Sequence, residues 1–208
     1  MKLTFGAVTD RGLNPKRAAN EDRFLVLEQS GLYLVADGVG GRKGGQVASQ
    51  TVVDVFTEMF AKTRVADVAL TVEAAVIESN RRIFEGSVAS SELEGMATTV
   101  VVLAVDGEEA IIGHVGDSRV YRFERGALHR DTEDHSEVGE AVRAGVISAA
   151  MAARDPMRNV LTRAVGAEPD VEGDFKSIPL SQGTRFLLCS DGITRHLTDA
   201  SLSDLLSS

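Results

Sequence analysis

The sequence predicts an α+β fold: antiparallel β-sheets stacked as a sandwich and covered by helices. Three observations carry this. Short apolar runs rich in Val, Ile, Leu, Phe and Tyr recur along the 208 residues, each bounded by Gly or Asp. Asp106-Gly107 and Arg125-Gly126 sit between such runs as tight turns, and strands joined by tight turns pair antiparallel. Helical periodicity is confined to one contiguous pair of blocks and a weaker later region, whereas a doubly wound parallel sheet needs strand and helix to alternate.

In chain order, "LTFGAVT" from Leu3, "RFLVLE" from Arg23 and "LYLVA" from Leu32 have the length and composition of strands. The first helical block runs from Gly45 to about Lys62, with Val47, Val52, Val55, Met59 and Phe60 near one face. The second, Asp67 to about Val88, opens on an Asp able to cap it and places Val68, Val72, Ala75, Ile77 and Phe84 together. Strands then follow in series: "TTVVVLAV", "EAIIGHVG", "SRVYRFE" and "ALHRDT". A polar helical region from Ser136 to Arg154 is interrupted at Gly145 and lies between strand-rich portions, so it reads as an inserted flap. "RFLLCS", ending at Ser190, is the last strand signal. With 43% hydrophobic residues and four Pro, the whole length suits one domain with a sizeable core.

Composition narrows the function. A formal net charge of -9 argues against nucleic acid or an anionic membrane, which are held by Lys and Arg; a metal cation or a small basic ligand is compatible. The single cysteine, Cys189, excludes an internal disulfide and fits a reducing compartment; inside an apolar run it reads as an inert buried thiol. The N-terminus shows no signal-peptide pattern, and no window has the roughly 18 apolar residues of a membrane helix. The expected location is the cytoplasm.

Three apolar runs end in an acidic residue beside a glycine: Asp37-Gly38, Asp117 in "GDSR", and Asp191-Gly192. Taken singly, Asp-Gly is turn chemistry, and Asp106-Gly107 with its polar neighbours is that ordinary case. The other three follow near-continuous apolar runs, where an unpaired carboxylate is costly to desolvate and a divalent cation compensates it. Clustered Asp with backbone carbonyls is the hard-oxygen set that Mg²⁺ or Mn²⁺ prefers. The glycine loop "GVGGRKGGQ" lacks Gly-Lys-Ser or Gly-Lys-Thr and a βαβ setting, so it fails as a nucleotide loop. Earlier, "KRAANEDRF" puts Arg17 just ahead of Glu21 and Asp22; if the acidic pair joins a metal cluster, the guanidinium is near enough along the chain to meet an anionic substrate.

The ordered set "RAANED", "VADGVGGRKGGQVAS", "GMATTVVVL", "GHVGDSRVYRF", "DHS", "LTRAVG" and "LLCSDGIT" resembles the bacterial branch of the metal-dependent Ser/Thr protein phosphatases, type 2C. The resemblance runs from about Thr9 to Thr194. It implies an antiparallel β-sandwich flanked by helices on both sides, an α-β-β-α arrangement in one catalytic domain over residues 1–208, with a flap at about 136–158. It also implies two Mn²⁺ or Mg²⁺ ions, and a third bound more weakly. Asp37 matches the residue that bridges two ions, and the Gly38 carbonyl binds one of them. Asp191 matches a ligand of the first ion, Glu21 and Asp22 serve the second, and Asp117 matches a ligand of the third. Arg17 matches the arginine that grips the substrate phosphate. The implied reaction is hydrolysis of phosphoserine or phosphothreonine on proteins by a metal-activated water, without a phosphoenzyme, on the products of a Ser/Thr kinase and by a monomer. Where eukaryotic relatives carry a His after Asp-Gly, this chain has Val39.

Members of the family continue to a Gly-x-x-Asp-Asn segment, whose Asp is a further ligand of the first ion, and then to a last strand. This sequence closes on "LTDASLSDLLSS", where neither Asp199 nor Asp204 substitutes by position. The expectation is a first metal site short of one carboxylate and a sandwich lacking the C-terminal strand. The alternative function that follows is a phosphatase-like binding or regulatory domain with weak turnover.

Overall fold

The computed structural model describes residues 3–13, 19–39, 44–60 and 65–208. Among the described residues nine strands form in chain order: β1 Asp22–Leu27, β2 Leu32–Val39, β3 Ala97–Thr98, β4 Val100–Asp106, β5 Glu109–Val115, β6 Arg119–Glu124, β7 Ala127–Arg130, β8 Asp174–Pro179 and β9 Arg185–Cys189. The larger sheet has the order β1-β2-β4-β5-β8, with the short β3 beside β2; the smaller has the order β7-β6-β9. Every pairing within them is antiparallel. Helices α1 Gly44–Phe60 and α2 Val68–Ala89 cover the outer face of the larger sheet. The helix α6 Asp199–Ser207 lays Leu202 against Tyr121 and Cys189 on the outer face of the smaller one. The order of layers is therefore α-β-β-α.

Period-two alternation explains why two cores form. On β2, Leu32, Leu34 and Ala36 face α1 and α2, while Tyr33 and Val35 face the smaller sheet. On β4, Val100, Val102 and Ala104 take the helical side, and Val101 and Leu103 the side between the sheets. Because β4 is buried on both faces, its sequence reads as an unbroken apolar run rather than an alternating one. The strand ends of this central layer are where the acidic residues lie.

Turn chemistry sets the register. Asp106 pairs with Glu109, and Gly107 at φ 62° makes the bend. Glu124 pairs with Ala127 across Arg125 at φ 53° and Gly126 at φ 80°. Two successive positive φ values make the tight hairpin turn whose twist matches the strands it joins. Asp67 caps α2 by accepting the Leu70 N–H at 3.0 Å. The flap region folds as α3 Glu137–Arg143 and α4 Ala149–Ala152, separated at Gly145. An isolated bridge between Ser136 and Leu161 closes its base.

The structure corrects three sequence expectations and adds a strand that none of them named. Residues 3–9 form no strand: Val8 is 91% exposed, and among the described residues no strand offers them backbone partners. β8, "DFKSIP", carries no apolar run, yet it pairs with β5 along its whole length as an edge strand. The buried stripe of α1 is Ala48, Val52, Val55, Phe56 and Phe60, with Val47 exposed and Met59 half-buried. That of α2 is Val72, Ala75, Val76, Ser79, Asn80 and Ile83, with Ile77 turned outward. Both stripes follow the 3.6-residue period, so choosing apolar residues by type rather than by phase misassigned one face position in each.

Candidate active site

At one end of the sandwich the strands deliver carboxylates to a common cavity of about 290 Å³. In the β1–β2 register Asp22 lies directly opposite Asp37. Asp37 continues the Tyr33–Val35 row, so its side chain points toward the smaller sheet. Asp191 follows β9 and opens the helical turn α5 Asp191–Thr194. Asp117 occupies the link between β5 and β6, which crosses from one sheet to the other. Glu21 precedes β1, lines the same cavity, and its backbone carbonyl accepts the Gly38 N–H at 3.2 Å.

Electrostatics mark Asp37 as the centre. Burial pushes its carboxyl up to about 8, and the charges of Asp22, Asp191 and Asp117, with a hydrogen bond shared with Asp22, push the same way. Asp117 is raised to about 6, first by burial and then by Asp191 and Asp134. Carboxylates driven this far from their usual range, with oxygen the only donor atom among them, match a hard divalent cation, which stabilises the charged forms that burial and crowding oppose. The residues present fit the ions that the family resemblance implies.

The backbone around Asp37 is fixed by hydroxyls. Its N–H donates to Thr99 Oγ1 at 3.1 Å, and its carbonyl accepts from the Thr99 N–H at 2.9 Å and from Thr98 Oγ1 at 3.0 Å. Thr99 Oγ1 in turn lies 2.7 Å from Ser118 Oγ, beside Asp117. Ser190 Oγ donates to Asp22 Oδ2 at 3.0 Å, joining β1 to the end of β9. Gly38 admits no side chain: a Cβ there would stand 2.1 Å from the Gly45 carbonyl oxygen, where α1 begins.

The sequence-derived candidates Asp37, Gly38, Glu21, Asp22, Asp117 and Asp191 thus come together, and Val39 stands at the rim of the same cavity. Arg17 lies outside the described residues, as do positions 40–43 of the glycine loop. Cys189 is buried behind the site with its thiol pushed up to about 12 by desolvation, which leaves it unreactive. Sequence reading assigned no role to Thr99, Ser118, Ser190, Asn159 or Arg195. The first three sit inside motifs quoted for their acidic or apolar neighbours; Asn159 and Arg195 have no local signal and meet only through the fold.

A second cluster, His114, His135 and Asp174, has candidate ligand atoms within 4.8 Å of one another. Its chemistry opposes a metal. His135 Nδ1 accepts the Gly116 N–H at 3.2 Å, so the imidazole proton belongs on Nε2, 3.3 Å from Asp174 Oδ2. That leaves no lone pair on Nε2, and the cluster is a buried imidazole whose N–H faces the partly exposed Asp174 carboxylate.

Comparison with known proteins agrees with this geometry. Residues 15–207 match the family model described as Protein phosphatase 2C. The serine/threonine phosphatase stp of Listeria welshimeri is 36% identical over 207 residues, covering 96% of this chain and 81% of that protein. The crystal structure of Stp1, a serine/threonine phosphatase from Staphylococcus aureus, superposes with a TM-score of 0.89 at 30% identity, covering 97% of this chain and 81% of that one. The catalytic domain of the serine/threonine protein phosphatase PstP, crystallised with two manganese ions, superposes with a TM-score of 0.85 at 32% identity, covering 96% and 82%. The chain belongs to the protein phosphatase 2C family. It is a bacterial-type serine/threonine protein phosphatase acting on phosphorylated proteins.

Proposed function

We propose that Asp37, Gly38, Asp22, Glu21, Asp191 and Asp117 hold Mn²⁺ or Mg²⁺ ions at the end of the sandwich, and that phosphoserine and phosphothreonine esters are hydrolysed there. The observation that carries this is the convergence of Asp37, Asp117, Asp191 and Glu21 on one cavity, with Asp22 beside Asp37 and Asp37 raised to about 8 among them. Asp37 would be the shared ligand, as the resemblance implies, and it lies where the charges of the other three Asp reach it. The Gly38 carbonyl is the neutral donor, its backbone held by Glu21 and Thr98. When bound, the cations supply an activated water and neutralise the phosphate oxygens.

The chain's own residues do the rest. Thr99 fixes the Asp37 backbone and bonds Ser118, the neighbour of Asp117 along the chain, Ser190 orients Asp22, and Leu161 of the flap base helps to shield one wall from bulk water. Arg17 supplies the fork that receives the substrate phosphate, a role resting on its position in "RAANED". Val39 has no proton to give, so the leaving alkoxide takes its proton from water. Physiological substrates are the products of a Ser/Thr protein kinase, met by a monomer in the cytoplasm. Supporting the location, its one cysteine is a free thiol, and among the described residues no helix is long and apolar enough to cross a membrane.

The test is release of phosphate from a phosphothreonine peptide with and without Mn²⁺. Asp37→Asn is expected to lower the Mn²⁺-dependent rate by at least about 100-fold, since a shared ligand costs more than an outer-shell partner. An Asp37→Asn protein as active as the wild type would remove the assignment, and a wild type that binds Mn²⁺ without turnover would favour a binding domain.

A further inference from the structure

Among the described residues lining the cavity, Arg195 is the one cation, and the resemblance gives it no role. It caps the turn that Asp191 opens: its N–H donates to the Asp191 carbonyl at 2.9 Å, and one helical turn brings the two side chains to the same side. Its Nη2 forms an ion pair with Asp191 Oδ2. The same nitrogen donates to Asn159 Oδ1 at 3.0 Å. Asn159 lies at the base of the flap, next to Val160, whose carbonyl accepts the Glu137 N–H at 3.0 Å at the start of α3. One guanidinium therefore ties a carboxylate of the acidic centre to the root of the flap.

We infer that Arg195 is a positioning residue that competes with a divalent cation for Asp191 and transmits the outcome to the flap through Asn159. The inference rests on the reading of Asp191 as a metal ligand. A carboxylate oxygen engaged by a guanidinium is not free to bind a cation on the same side, and like charges close together repel. Entry of the cation therefore displaces Arg195 from Asp191. With that anchor gone, the Arg195–Asn159 bond no longer ties the flap base to the acidic centre and the flap loosens, which admits a bulky phosphoprotein only once the metal centre is loaded. The guanidinium side chain is one-third exposed, so its grip is that of a partly screened pair, weak enough to be exchanged.

Titration calorimetry with Mn²⁺, paired with hydrogen exchange of the flap amides over 137–160, tests this. In Arg195→Gln, loss of the competing cation is expected to tighten Mn²⁺ binding by about twofold to fivefold, the affinity equivalent of a partly exposed ion pair. Flap exchange in the metal-free variant is expected to match that of Mn²⁺-loaded wild type and to change little on adding Mn²⁺. Arg195→Lys keeps the charge without the fork, so it is expected to restore the wild-type Mn²⁺ affinity but not flap protection. Asn159→Ala is expected to loosen the flap while leaving Mn²⁺ affinity within about twofold. Arg195→Gln with wild-type Mn²⁺ affinity and an undiminished Mn²⁺ response of the flap would overturn the coupling alone. Absence of Mn²⁺ binding in the wild type would overturn the metal reading of the acidic cluster and this inference with it.

Discussion

At the residue scale, neutral hydroxyls fix the backbone that carries the acidic centre. Thr99 accepts the Asp37 N–H and contacts Ser118, and both hydroxyls are buried. Thr99→Val has nearly the same shape but leaves that N–H and the Ser118 hydroxyl without a partner. A loss of about 1–3 kcal/mol in chemical denaturation is expected, with Thr99→Ser recovering most of it. His135 makes the second residue-level case. It is fully buried, and burial together with His114 and Arg163 lowers it to about 4 from 6.5, while Asp174 opposes this from the other side. Above pH 6.5 the imidazole is neutral in both folded and unfolded chains and contributes no slope. Between 6.5 and about 4 the unfolded chain takes up the proton and the folded one does not, so stability falls as pH drops through that window. The loss expected from this residue is roughly 2–3 kcal/mol, and His135→Gln should flatten that part of a denaturation-versus-pH curve.

At the scale of elements, the strand ends matter more than the loops that follow them. Gly38 closes β2 against the first turn of α1, and any side chain there must push into the Gly45 carbonyl. Gly38→Ala is expected to lower stability by about 2–4 kcal/mol, the range for overpacking plus backbone displacement. It should also lower Mn²⁺ affinity, because the displaced carbonyl is the neutral donor; calorimetry on the folded variant checks both. This is also the scale at which the sequence was most legible. β2, β4, β5, β6 and β9 announce themselves because a strand buried on one or both faces must be written in apolar residues. β8 was invisible because an edge strand exposed on one side tolerates Lys176 and Ser177. Residues 3–9 misled for the converse reason: their composition suits a strand, but pairing is a property of two segments, and one alone does not reveal it. The acidic centre was legible because a carboxylate at the end of an apolar run is expensive unless it has a task. Asn159 and Arg195 were not, since a lone polar residue in a polar stretch carries no periodicity, and only topology brings the two within hydrogen-bond reach.

At the scale of the molecule, the two sheets are packed through a small core of Val101, Leu103, Ala110, Ile112 and Val120. Ile112 is almost wholly buried there. Ile112→Ala is expected to cost about 2–5 kcal/mol through lost burial and the cavity left behind, read from thermal or chemical unfolding. Addition of Mn²⁺ at 100 times its dissociation constant should recover about 2.7 kcal/mol in the wild type, because a ligand of the folded state alone stabilises by mass action.

The crossing of Asp117 from one sheet to the other gives these effects a common consequence. Asp22 and Asp37 belong to the larger plate of the sandwich, Asp191 to the smaller, and Asp117 to the strap between them. A cation held by all of them is a rivet through two plates, and a rivet hole is the place where misalignment of the plates is felt first. Slippage between the sheets too slight to unpair a strand would separate Asp37 from Asp191 and register as lost metal affinity. Ile112→Ala should accordingly bind Mn²⁺ more weakly than wild type while its circular dichroism is unchanged, so the phosphatase centre doubles as a strain gauge for its own scaffold.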